Sequence, residues 1–440
     1  MTTQFLSRRQ LLAYALLAAP LAMAALPVYV HVPKFYGDGL GMPLALVGAI
    51  LLAVRLFDAV QDPLIGYLSD RGASRRFGRR LLVVAGLPLL AAGFVALFHP
   101  PGIDGTGLAI WLAAALVVVY LGFSMVSISY FAIGAELSVD YHERTRVTAT
   151  RGALGVLGVL VAAAAPGLLG SGSEAAGLAL FSVLFLPVLL GCAFVTLRHT
   201  PRPPAAEPAF SRPAIAAMFA PFGNPRFRWL MAVFVVSGIA SAIPGTLILF
   251  FVQDVLQRPA LSGLFLGLYF LFGALGMPAW IAASRRMGKK NAWLLGMLLA
   301  VAAFVWAYTL GSGDAAAFAV VCALSGIAYG AELAIPPSML ADAVDADAPG
   351  QGSRPDGAYF GLWQMIEKLN LAVAAGIALP LVALMGYQPG TQQQSFAPLS
   401  FTYALLPCAI KIAAALLLWL APIDKPFSGR RVPAVQGVRT

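Results

Sequence analysis

Residues 55–71 read RLFDAVQDPLIGYLSDR, and residues 271–284 read LFGALGMPAWIAAS. Leu56, Phe57, Ala59, Pro63 and Ser69 recur in register as Leu271, Phe272, Ala274, Pro278 and Ser284. Basic turns follow both stretches, DRGASRRFGRR after the first and RRMGKK after the second. Two such copies on the same side of a membrane are what parallel repeats about an axis along the membrane normal give. Asp58 and Asp62 become Gly273 and Met277, so the repeat keeps the helix twice and the carboxylates once.

Around these copies the chain is apolar throughout. Of 440 residues, 60% are hydrophobic and 11% charged, against roughly one-quarter charged in soluble domains. Mean hydropathy is +0.83. A soluble fold is excluded, because apolar runs of about 20 residues recur from end to end, the length that crosses a bilayer core. The windows predict twelve spans near 10–32, 43–69, 81–98, 108–135, 147–169, 177–197, 229–252, 261–283, 292–311, 316–340, 358–386 and 398–421. The fold class expected is an all-α integral membrane protein of two six-helix pseudo-repeats around a central cavity. Segment 198–228, rich in Pro and Arg, reads as a cytoplasmic linker between bundles at 1–197 and 229–421, with a tail at 422–440.

Outside the spans, Lys and Arg cluster in alternate loops, with only Lys34 and Arg258 on the opposite side. The positive-inside rule then makes both termini cytoplasmic, in a bacterial-type inner membrane. The net charge of +10 reads as topology and contact with anionic lipid headgroups, and nucleic acid is not expected as a partner. Cys192, Cys322 and Cys408 fall in apolar runs without metal-ligand or disulfide spacing. No cofactor or metal is expected. The opening SRRQLL with Ala22-Met23-Ala24 also fits a cleavable twin-arginine signal, but removing it would leave an odd eleven spans.

Gly66-Tyr67-Leu68-Ser69-Asp70-Arg71 continuing to Gly78-Arg79-Arg80 resembles the loop 2-3 motif of the major facilitator superfamily. Residues 55–71, MLADAVDAD (339–347) and YFGLWQMIEKLNLAVAAG (359–376) resemble the glycoside-pentoside-hexuronide:cation symporters of the melibiose permease type. The resemblance implies twelve helices around a central cavity and a sugar moved with a proton or sodium ion by a monomer. Its cation ligands match Asp58 and Asp62, and its conditional ion-pairing lysine matches Lys368. Arg151 matches a sugar-contacting arginine and Tyr130 a sugar-stacking aromatic. Acids that bind sugar in helices 1 and 4 of the family have no counterpart, since span 4 reads Gly122-Phe123-Ser124-Met125-Val126-Ser127. Gln61 and Phe123 stand where sodium ligands would be expected, which favours protons.

The residues by themselves support the ion site. Asp58 and Asp62 share one helix face about 6 Å apart along the axis, and two carboxylates in a membrane need a cation or proton between them. Arg55, one turn before Asp58, offers an internal salt bridge instead. Lys368 and Asp58 lie at similar depth, roughly 15 Å from the cytoplasmic end at 1.5 Å per residue, so they can meet. Glu332 in span 10 is an alternative partner for Lys368, and Glu367 points some 100° away from it. Trp363, Gln364, Glu332, Arg151 and Tyr130 are the candidate solute-binding residues. Gly66, Asp70, Arg71, Gly78, Arg79 and Arg80, with Asp342 and Asp345, are the candidate charge-bonded gate.

Ala164-Ala165-Pro166-Gly167 keeps an exporter reading open, while Gly152, Gly155 and Gly158 suit close helix packing. His99 and Asp104 have an acyltransferase spacing in a loop too short for a substrate platform, so no enzyme is expected.

Overall fold

The computed structural model describes residues 6–73, 78–137, 141–170, 173–201, 220–347, 356–390 and 396–423. Among them are twelve helices long and apolar enough to cross a membrane. In chain order these are α1 (Arg8–Gly39), α2 (Leu44–Gly66), α3 (Arg79–Phe98), α4 (Thr106–Gly134), α5 (Arg146–Leu169) and α6 (Glu174–His199). The second set is α7 (Pro225–Val255), α8 (Pro259–Met287), α9 (Lys289–Thr309), α10 (Ala315–Val344), α11 (Gly361–Leu384) and α12 (Ala397–Leu420). Every span predicted from hydropathy has its helix.

The helix starts follow from local sequence. Asn224 caps α7, its Oδ1 accepting from the backbone N–H of Arg226 (2.9 Å), with Pro225 at the first helical position. Ser7 and Gln10 form a reciprocal capping box at the start of α1.

Span 1 is longer than hydropathy predicts. It continues past Lys34 and Asp38 because both charges find partners within the bundle. Lys34 Nζ donates to Glu174 Oε2 at 2.5 Å, and Asp38 Oδ2 accepts from Gln253 Nε2 at 2.7 Å. Two π-helical turns, Pro27–His31 and Phe35–Gly39, interrupt its α-helix. Similar turns sit in α7 (Phe251–Val255) and α12 (Phe401–Leu405).

Packing repeats along with the sequence. Within the first half α1 packs on α5 and α2 on α4, and the second half repeats this as α7 on α11 and α8 on α10. Between halves α2 meets α11 and α5 meets α8, again an equivalent pair. The fate of the two missing carboxylates is visible here. Gly273, the counterpart of Asp58, lies on the α8 face against α10, where the Gly330 Cα would place a Cβ 2.7 Å from the Gly273 carbonyl oxygen. Helix α8 thus uses that face for backbone approach, where α2 uses it for charge.

The halves are fastened together at the end away from the basic turns. Tyr29 of α1 donates to the Ala242 carbonyl of α7, Asp38 accepts from Gln253, and Gly48 of α2 lies close against Ala375, Leu379 and Pro380 of α11. At the same end His31 Nδ1 lies 2.9 Å from Glu174 Oε1, and Tyr387 donates to Asp254.

Candidate functional site

At mid-depth between the halves, four charged side chains meet. Asp58, 1% exposed, accepts from Gln61 Nε2 (3.0 Å) and Ser124 Oγ (3.1 Å) on Oδ1 and from Arg55 Nη1 (3.2 Å) on Oδ2. Lys368 of α11 stands 3.2 Å from Asp58 Oδ2, donates to Asp62 Oδ2, and donates to Ser124 Oγ at 3.1 Å. Arg55 also lies over the Tyr120 ring, 4.0 Å from its centroid. The cluster therefore joins α2, α4 and α11 with two positive and two negative side chains. One acceptor is left over: Asp62 Oδ1 is buried and makes no hydrogen bond among the described residues. Both sequence alternatives for Asp58 occur together, since Arg55 and Lys368 hold the same carboxylate oxygen.

A second polar cluster lies in the other half. Lys411 of α12 pairs with Glu332 of α10, and it donates to Ser237 Oγ (2.9 Å) and Ser241 Oγ (2.6 Å) of α7. Both serines in turn donate to Glu332, Ser241 Oγ to Oε2 at 2.6 Å. Glu332 is thus the partner of Lys411, and the sequence alternative that pairs it with Lys368 is corrected. The cause is distance along the fold: α2 reaches Lys368 first, across the interface between halves. Of these groups, Glu332, Lys411 and Ser241 line a cavity of about 370 Å³ with Glu367, Asn370, Tyr269 and Tyr329.

The other candidate solute residues are dispersed. Arg151 lies over Phe131, 4.3 Å from its centroid, in the first half. Tyr130, 1% exposed, stacks on Tyr14 at 4.7 Å and donates to the Tyr14 carbonyl at 2.9 Å, so its ring face and hydroxyl are both engaged. Trp363 stacks on Phe234 at 3.7 Å. Gln364 is exposed.

Of the candidate gate, Arg80 donates to the carbonyls of Leu197 (2.9 Å) and Thr200 (2.8 Å), bracing the end of α6. Asp342 pairs with Lys289 at 2.6 Å, within the second half. Gly66 lies on α2 and Arg79 opens α3. Asp70, Arg71, Gly78 and Asp345 lie in helices, and the side chains of Asp70, Arg71 and Asp345 fall outside what the structure describes. Gly158 packs against the Ala19 backbone, whereas among the described residues no group lies within contact of a Cβ at Gly152 or Gly155. His99 Nδ1 bonds the Val95 carbonyl at 3.0 Å.

Sequence reasoning passed over Lys411, Ser237 and Ser241. The depth count that brought Lys368 to Asp58 would also have brought Lys411 to Glu332.

Two six-helix halves packed through equivalent helix pairs, with buried charges between and within them, define a transporter of the major facilitator fold. The chain belongs to the MFS/sugar transport protein family, whose model matches residues 11–425. An uncharacterized symporter of Synechocystis (sll1374) is 24% identical over 89% of this chain and 90% of its own length. The putative glycoside/cation symporter YagG of Escherichia coli is 26% identical over 86% of this chain and 83% of its own. Among solved structures, a mutant of the nucleoside transporter NupG superposes with a TM-score of 0.70 at 15% identity, covering 93% of this chain and 98% of that one. A bacterial homologue of the lysosomal transporter Spinster, inward-facing and unoccupied, gives 0.67 at 16% identity, covering 93% and 94%. The family is one of transporters, not enzymes.

Proposed function

We propose that this protein is a cation-coupled symporter that moves a sugar or glycoside-like solute by alternating access, with Asp58, Asp62 and Lys368 as the coupling site. The observation that carries the reading is the unpaired Asp62 Oδ1 beside a lysine that bridges both halves. A cation or proton arriving at that carboxylate competes with Lys368 for the same charge. Releasing Lys368 loosens the α2–α11 contact, so ion binding and the closure of the halves share one group. Protonation fits better than sodium. Gln61, Ser124, Arg55 and Lys368 already occupy the oxygens of Asp58, and Lys368 occupies one oxygen of Asp62, so the open acceptor among the described residues, Asp62 Oδ1, can take a proton but supplies only one of the several oxygens a sodium ion needs.

The names of similar proteins, among them a glycoside/cation symporter and a putative sulfoquinovose importer, support a sugar-like solute. The basic turns favour cytoplasmic termini, an orientation in which the fastened end faces outward, as in an inward-open carrier.

Proton and sodium entry into proteoliposomes, read with pH-sensitive and sodium-sensitive dyes while glycosides, pentoses and uronic acids are added, tests this. Solute-triggered acidification is the expected result. Counterflow of a solute without any cation movement would overturn the coupling.

A further inference from the structure

The cavity of about 370 Å³, lined by the second half together with Tyr29 and Val30 of α1, is polarised along the membrane normal. Its lining residues can be ordered by depth along their helices. At one end stand Ser241, Glu332, Glu367, Asn370 and Lys411; at the other stand Ile248, Leu266, Phe304, Cys322 and Tyr403. Along α10 Glu332 and Cys322 are ten residues apart, and along α12 Lys411 and Tyr403 are eight apart, an axial separation of roughly 12–15 Å at 1.5 Å per residue. Beyond the apolar end the space is closed by stacked rings. Phe251 lies on Tyr403 with centroids 4.2 Å apart, and Phe318 packs against Phe265 at 4.8 Å. The apolar end is therefore a blind slot.

The polar end has its own chemistry. Glu332 and Lys411 neutralise each other directly; Glu332 Oε1 accepts from both Lys411 and Ser237, whereas Oε2 accepts from Ser241 and keeps lone-pair capacity for a further hydroxyl. Glu367 adds a second carboxylate, so an anionic group entering here meets two carboxylates and an ammonium that is already paired. An uncharged, hydroxylated group meets acceptors at Glu332 and Glu367 and a donor at Asn370. The Tyr269 and Tyr329 rings, stacked with centroids 5.3 Å apart, line the wall next to it.

We infer that this cavity is the solute site, and that it takes an amphiphilic glycoside: a neutral hydroxylated head at Glu332 and Lys411, with an aryl or alkyl aglycone in the slot toward Phe304 and Tyr403. The inference rests on the transporter reading above and narrows its solute class. It also accounts for a first half without sugar-binding acids in α1 and α4, because the hydroxyl-binding groups lie in the other half.

The test is equilibrium binding to the full-length protein in lipid nanodiscs, using p-nitrophenyl glycosides of glucose, galactose, xylose and glucuronic acid beside the four free sugars, and phenyltrimethylammonium as a cationic aryl probe. At least one neutral aryl glycoside is expected to bind roughly tenfold or more tightly than its free sugar, the difference that burying an aryl group gives. That preference is expected to fall toward one in Ala300→Phe and in Cys322→Leu, two independent substitutions that occupy the slot. In Lys411→Gln, affinity for the neutral glycosides is expected to fall. Equal affinity of free sugars and aryl glycosides, or a preference unchanged by slot-filling variants that keep the wild-type elution volume, overturns the inference and leaves the symport reading standing. Tighter binding of phenyltrimethylammonium than of every glycoside overturns the hydroxylated head. Failure of every sugar and glycoside to bind overturns both the inference and the sugar reading on which it rests.

Discussion

Asp62 and Lys368 stand 306 positions apart in the chain and are joined as an ion pair across the interface between α2 and α11. Each belongs to a different half, so the pair is at once a charge balance and a fastening. Lys368 also reaches Ser124 and Asp58, so α4 feels any change at Asp62 through one side chain.

Asp58→Asn is expected to abolish solute accumulation driven by an ion gradient and to leave exchange of solute across the membrane. Radiolabelled uptake compared with counterflow in proteoliposomes checks this. Full accumulation by the variant would remove Asp58 from the coupling role.

Lys368→Ala leaves Asp58 with Arg55 and Asp62 without its cation. Breaking a buried pair by removing one partner costs about 3 kcal/mol, so thermal stability in detergent should fall along with transport. Adding Asp62→Asn is expected to recover most of the stability and none of the coupling. Unchanged transport kinetics in Lys368→Ala would make this lysine purely structural.

Gly326 tests the close approach of α10 to α8. A Cβ there would lie 2.4 Å from the Tyr269 carbonyl oxygen, backbone that cannot swing aside. Gly326→Ala is expected to destabilise the second half by roughly 1–3 kcal/mol, as overpacking does, and to lower the unfolding temperature of the purified protein.

The fastened end can be loosened without touching the buried charges. Tyr29→Phe removes the bond to the Ala242 carbonyl, and Gln253→Ala removes the bond to Asp38. Together they are expected to raise the population in which this end is open, measured as a longer pulsed-EPR distance between spin labels on the α1–α2 and α7–α8 loops. An unchanged distance distribution would show that helix packing, Gly48 on α11 and Gly263 on α5, holds this end without these bonds.

The spans were legible because hydropathy over a window the width of a bilayer is a strong constraint, and the two halves because Leu56–Pro63 and Leu271–Pro278 keep the same pattern. Distance from the cytoplasmic ends of their helices alone brings Asp58 and Lys368 to one level, with Asp62 one turn away on the same face. What it could not give was which face each helix turns inward. Tyr130 matches a sugar-stacking aromatic in sequence, yet Tyr14 of α1 stacks on its ring. Trp363 is likewise taken up by Phe234. Lys411 is a lone lysine in an apolar run with no periodic pattern; its depth matches that of Glu332, but the serines that complete the cluster, Ser237 and Ser241, carry no such signal.

The two π-helical turns of α1 give that helix a divided loyalty. A π-turn closes its hydrogen-bonded ring over one more residue than an α-turn, so each one shifts the angular position of everything after it. Within a dozen residues α1 can therefore offer Tyr29 and Asp38 to α7 while offering His31 and Lys34 to α6. Shortening either turn by a single residue would restore a plain α-helix with one face too few, and the chain would have to give up its hold on one half to keep the other.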